Sequence, residues 1–120
     1  MTTFKRVICS VNICCDVNAM GDDYCVLLYG GDLPHVGSTA LSVPRPSLTG
    51  QGISATTSIL NCIGHKDDVL AKLFAEKIAA KTNHVTVCVC GIHVDDLSFE
   101  DIQTLYEGCC QYLEEILITL

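Results

Sequence analysis

The chain has 120 residues, of which 49% are hydrophobic and 18% charged, with mean hydropathy +0.39 and net charge −7. Such a composition excludes intrinsic disorder, and this length predicts a single domain over residues 1–120 with its own core. No apolar run nears the roughly 18 residues of a membrane helix, and the N-terminus lacks a signal-peptide apolar block, so a cytoplasmic protein with no membrane association is expected.

The charge is unevenly placed. Residues 1–81 hold 7 bases and 7 acids, whereas residues 82–120 hold 7 acids and no base. Nucleic-acid binding needs clustered Lys and Arg to displace phosphate counterions, and no such cluster occurs. The acidic end reads as a solvated helix face or as an acidic docking surface.

Residues 4–17 alternate in polarity and are rich in Val and Ile, which predicts a first strand. A turn over 18–23 leads to a continuous apolar strand, Tyr24–Tyr29. A glycine-punctuated loop, Gly30–Gly37, precedes a short strand over Ser38–Val43. Pro44–Gly52 is a loop with two prolines and two glycines, and Ser54–Cys62 is a further β-branched strand. The first helix opens at Lys66 or Asp67, carries the stripe Val69, Leu70, Leu73, Phe74 and Ile78, and ends near Thr82-Asn83. A strand over His84–Cys90 and a loop over Gly91–Leu97 follow. Ser98 with Asp101 forms a capping pair for a second helix whose stripe runs from Ile102 to Leu120.

The predicted order is β-β-β-β-α-β-α. Consecutive strands joined by turns favour antiparallel pairing, so the expected fold is α+β: a mainly antiparallel sheet of about five strands with two helices on one face. The end of the second helix, Ile116–Leu120, is apolar nearly all round and needs cover from the sheet or from a second subunit, which makes a homodimer an expectation.

The nine cysteines include no C-x-x-C pair and are odd in number, unlike a zinc site or a secreted disulfide framework. They read mainly as reduced core residues. Three histidines, His35, His65 and His93, lie in glycine-bearing loops. Gly64-His65-Lys66-Asp67-Asp68 and Gly91-Ile92-His93-Val94-Asp95-Asp96 both sit at strand–helix junctions, where loops carry sites. These histidines and carboxylates either converge on a metal or bond nearby backbone and cap the helices. Arg45, held between two prolines, either grips a phosphate in bidentate fashion or is a surface residue of a hairpin loop. Gly30-Gly31 and the helix N-termini offer backbone N–H groups to an anion. G-x-G-x-x-G, the P-loop and the G-x-S-x-G elbow are all absent, and no nucleophile–base pair is visible, so no enzyme activity is expected.

Four segments together resemble the LpdD-like family: Gly30–Gly37, Pro44-Arg45-Pro46-Ser47-Leu48, Gly64–Asp67 and Gly91–Asp95. The similarity covers about residues 23–105 in order and spacing. The resemblance implies a non-catalytic chaperone that carries prenylated flavin mononucleotide, with plain FMN as a related ligand, and delivers it to a UbiD-type decarboxylase. A flavin prenyltransferase is a further candidate partner. The resemblance itself assigns no residue roles; read from the residue types in these motifs, the expected cofactor-binding set is Gly30, Gly31, His35, Gly37, Arg45, Ser47, His65, Lys66, Asp67, His93 and Asp95, with no catalytic and no metal-binding residue. The alternatives are a metal-binding accessory subunit of a decarboxylase built on the loop histidines, and an assembly chaperone without ligand.

Overall fold

A computed structural model describes residues 1–62 and 67–120. Its elements are β1 (Thr2–Ile8), β2 (Val11–Met20), β3 (Asp23–Gly31), β4 (Ser38–Pro46), β5 (Ile53–Asn61), α1 (Asp68–Thr82), β6 (Thr86–His93) and α2 (Phe99–Ile118). The class is the expected α+β, with six strands instead of five. The additional strand arises because residues 4–17 are a hairpin and not one strand. Cys9 and Ser10 form its two-residue turn, with φ of 53° and 63°, and Ile8 pairs with Val11 across it. Two positive φ values give a turn whose twist matches the flanking strands. Asn-Gly usually signals such a turn; Cys-Ser does not.

The strand order is β1-β2-β3-β6-β4-β5. Every pairing is antiparallel except β3 with β6, which runs parallel from Tyr24↔Thr86 to Gly31↔His93. The chain needs α1 to return from the end of β5 to the start of β6, as any such crossover does. β6 thereby enters between β3 and β4, and its pairing carries Gly91–His93 into the sheet rather than a loop. β4 also runs longer than predicted, through Pro46. Its prolines are tolerated because β6 pairs only with Ser38–Ser42, so Pro44 and Pro46 lie beyond the doubly paired part.

Both helices pack on one face. α1 presents Ala71, Phe74, Ala75, Ile78 and Ala79, and α2 presents Leu105, Cys109, Tyr112, Leu113 and Ile116. They cover Ile13, Cys15, Val17, Val26, Leu28, Ala40, Cys88 and Cys90 of the sheet. Each large aliphatic or aromatic side chain buried this way contributes about 1.5–3 kcal/mol. The three alanines of α1 let its backbone lie close to the sheet. Ser98 caps α2 as expected, its Oγ accepting from Asp101 N at 3.1 Å. Arg6 pairs with Glu115 and lies 5.5 Å over the Tyr112 ring, which ties β1 to α2. At the end of α2 the fold buries Ile116 but leaves Ile118 83% exposed. No helix among the described residues is long and apolar enough to cross a membrane.

All nine cysteines are free thiols. Cys15, Cys88, Cys90 and Cys109 are buried, Cys14, Cys25 and Cys110 are half-buried, and Cys9 and Cys62 are exposed. Burial pushes the thiols of Cys15 and Cys109 up to about 12 and raises those of Cys88 and Cys90 further. A thiol held protonated is a poor nucleophile. Alkylation of native protein at mildly alkaline pH is therefore expected to modify Cys9 and Cys62 first. Cys15, Cys88, Cys90 and Cys109 should react only after denaturant is added, as peptide mass mapping will read out.

Candidate functional site

The parallel pair sets the C-terminal ends of β3 and β6 side by side, and the chain leaving β3 folds back across β6. Two glycines make that close approach feasible. Gly31 has φ +77°, and a Cβ there would stand 2.2 Å from the His93 carbonyl oxygen. At Gly91 a Cβ would stand 1.4 Å from the His35 carbonyl oxygen. Asp32 N donates to His93 O at 2.7 Å, and Gly37 N donates to Cys90 O at 3.0 Å. The loop over 32–37 is thus stitched to β6 at both ends.

This stitching brings His35 against Asp67, the residue that precedes α1. Asp67 is buried, and its Oδ1 accepts from Ile92 N at 3.2 Å. Its Oδ2 lies 3.4 Å from His35 Nε2. A Cβ on Gly37 would stand 2.3 Å from that same oxygen, so only glycine leaves the carboxylate its place. His35 Nδ1 lies 2.9 Å from the Leu33 carbonyl, which only accepts, so Nδ1 carries the hydrogen. The His35 and His93 rings meet edge to face at 6.4 Å between centroids. His93 Nε2 in turn contacts Asp95 Oδ1 at 2.8 Å, and Asp95 N donates to Asp32 Oδ2 at 3.1 Å.

Beside this network opens a cleft of about 570 Å³, between the start of α1, the end of β6 and the first half of α2. Its walls are Val69 and Leu70 from α1, Ile92, Val94 and Leu97 from β6 and the segment after it, and Ile102, Leu105 and Tyr106 from α2, with Asp67, His93, Asp96 and Gln103 at the polar margin. This size lies within the usual range for small-molecule sites, and so does an apolar wall with a few polar groups. The Asp67 side chain makes no capping bond to α1, being turned to Ile92 and His35 instead. The start of α1 borders the cleft, and a helix start favours an anion. The neighbouring Cys110 raises the Tyr106 phenol above its ordinary value, which favours the protonated form at the cleft wall.

Of the residues expected from sequence, Gly30, Gly31, His35, Gly37, Asp67, His93 and Asp95 come together here. Arg45 and Ser47 do not. They stand at the β4–β5 hairpin, with Arg45 seven residues along β4 from Ser38, about 23 Å. Arg45 Nε donates to Thr56 Oγ1 at 2.9 Å and its guanidinium reaches the Pro46 carbonyl at 3.3 Å, while Ser47 Oγ meets Thr49 Oγ1. His65 and Lys66 lie outside the described residues. Among the described residues, no group of three or more His, Cys, Asp and Glu is arranged to hold a metal ion. Sequence reasoning missed Asp32 and the apolar walls. Ile102, Leu105 and Tyr106 had read as an ordinary core stripe, and only the spacing between α2 and α1 turns that stripe into a cleft wall.

Asp67→Ala leaves the Ile92 N–H without its acceptor and is expected to cost about 1–3 kcal/mol of stability. Asp67→Asn, whose amide oxygen still accepts, should cost less. Gly91→Ala forces β6 away from His35 and should cost about 1–3 kcal/mol through overpacking. Urea unfolding midpoints will check all three.

No curated protein matches the chain. A family model, that of the prenylated flavin chaperone LpdD-like domain, matches residues 9–120. The match leaves out β1 but takes in β2, the stitched loop, the Asp67 junction and all of α2, and so every described element that builds the cleft: the chain belongs to the prenylated flavin chaperone LpdD-like family.

Proposed function

We propose that this protein is a non-catalytic carrier that holds prenylated flavin mononucleotide in the cleft between α1, β6 and α2 and hands it to a UbiD-type decarboxylase. The observation that carries this reading is the cleft itself, apolar-walled and about 570 Å³, with the start of α1 at one margin. Its chemistry fits the group. The ring system is hydrophobic and suits Val69, Leu70, Ile92, Val94 and Ile102. Its polar edges suit His93, Gln103 and the protonated Tyr106 hydroxyl. The phosphate suits the first-turn N–H groups of α1, with His65 and Lys66 immediately before that helix in sequence. The Asp67 carboxylate is turned toward Ile92 N and His35 and not toward the helix start. A carrier must release as well as bind, and an open cleft on one side of the molecule serves both.

Protein co-expressed with a flavin prenyltransferase should carry a chromophore whose mass on release is that of prenylated flavin mononucleotide. Ile102 is 53% exposed, so Ile102→Trp fills the cleft without disturbing the core. It should weaken binding at least tenfold, about 1.4 kcal/mol. Arg45→Ala, at the remote hairpin, should leave binding unchanged. Decarboxylase reconstituted with this protein should gain most activity when cofactor is dilute and least when it saturates. Equal activation at every concentration, or a binding loss with Arg45→Ala but not with Ile102→Trp, would overturn the reading.

A further inference from the structure

The helices cover one face of the sheet, and the other is crossed at one end by the loop over 32–37, which sets Pro34, His35 and Val36 beside Leu27, Tyr29 and Val89. An antiparallel sheet of this kind usually turns polar residues to solvent on its outer face. Here the outward residues of the three central strands are Leu27 and Tyr29 on β3, Val87 and Val89 on β6, and Leu41 and Val43 on β4. Leu27, Leu41 and Val43 are 37%, 45% and 47% exposed. We propose that a second copy of this chain packs on this face, sheet against sheet, to form a two-fold dimer. The inference stands apart from the ligand reading, since the cleft lies on the helix side.

Two observations support a second copy as the occupant. The first is area. Six strands spaced about 4.8 Å apart and eight residues long at about 3.3 Å each give a face of roughly 29 × 26 Å, or about 750 Å² before the part under the loop over 32–37 is subtracted. A standard stable interface buries about 800 Å² per partner. The second is charge. A two-fold contact sets each patch on its own copy, so a charged patch repels itself. On the open face the strands carry two bases, Lys5 and Arg45, and two acids, Asp16 and Asp23. α2, the other surface with exposed apolar residues, carries Glu100, Asp101, Glu107, Glu114 and Glu115 and no base. The open face is neutral and α2 is not.

Sedimentation equilibrium on the full chain tests this. The expected mass is twice 12.9 kDa, falling to 12.9 kDa in Leu41→Glu, with the dimer dissociation constant raised at least a hundredfold. Val43→Glu is a second variant at an exposed position, should Leu41→Glu fail to give the native circular dichroism. Cys14 and Cys25 lie on the same face and are half-buried in the monomer. Their alkylation should be slow in the dimer and at least tenfold faster in the glutamate variants, while Cys9 reacts equally in both. Ile118→Glu on α2 should leave the dimer intact. A monomeric wild type, a dimer that survives both glutamate variants, or dissociation by Ile118→Glu would overturn the proposal.

Discussion

The parallel pairing of β3 with β6 is the constraint on which the rest of the molecule depends. It is the one non-antiparallel pairing in the sheet, and it requires α1 to carry the chain from β5 back to the opposite end of the sheet. Three chain segments consequently meet at the C-terminal end of that pair: the exit of β3, the exit of β6 and the start of α1. In open sheets with parallel strands this is where ligands settle, because backbone N–H groups and loop side chains converge there while strands wall off the floor. Gly31, Gly37 and Gly91 serve that convergence by removing the Cβ atoms that would hold the segments apart. They are glycines for packing, not for wrapping an anion.

Much of this was legible from the residues and some was not, for identifiable reasons. Helix boundaries showed clearly because Ser98 and Asp101 cap α2 and because the apolar stripes have helical period. The division of residues 4–17 did not, since alternation continues unbroken through Cys9-Ser10 and neither residue announces a left-handed turn. The parallel partner of β6 was invisible as well: a β-branched strand carries no label saying which neighbour it takes. The site followed the same division. His35, Asp67, His93 and Asp95 were recognisable because loops at strand ends concentrate chemistry. Arg45 looked equally suitable in sequence, yet the direction of β4 sends it to the far end of the sheet. No local pattern conveys strand direction.

The electrostatic design follows from the same geometry. The acids of the last third lie mostly along the solvent side of α2, while the cleft interior is lined by hydrocarbon and backbone. Asp67, the carboxylate nearest the helix start, is held by an N–H from the sheet and by the His35 ring rather than by the helix it precedes. That choice keeps the loop over 32–37 locked to β6. The core thiols, protonated by burial, act as small apolar spacers between the sheet and the helices.

The pairing of β3 with β6 also has a kinetic consequence. Asp23 and Val85, joined by a hydrogen bond at the start of that pair, are 62 residues apart in the chain. Closing so long a loop costs entropy before any contact offsets it, so hairpins β1–β2 and β4–β5 can form early while the central ladder must wait for α1 to nucleate and swing β6 into place. The cleft borders that late-closing seam. A partly folded chain, whether nascent or transiently opened, therefore has its hairpins but no binding site, and the capacity to hold a ligand arises only with the last cooperative step of folding.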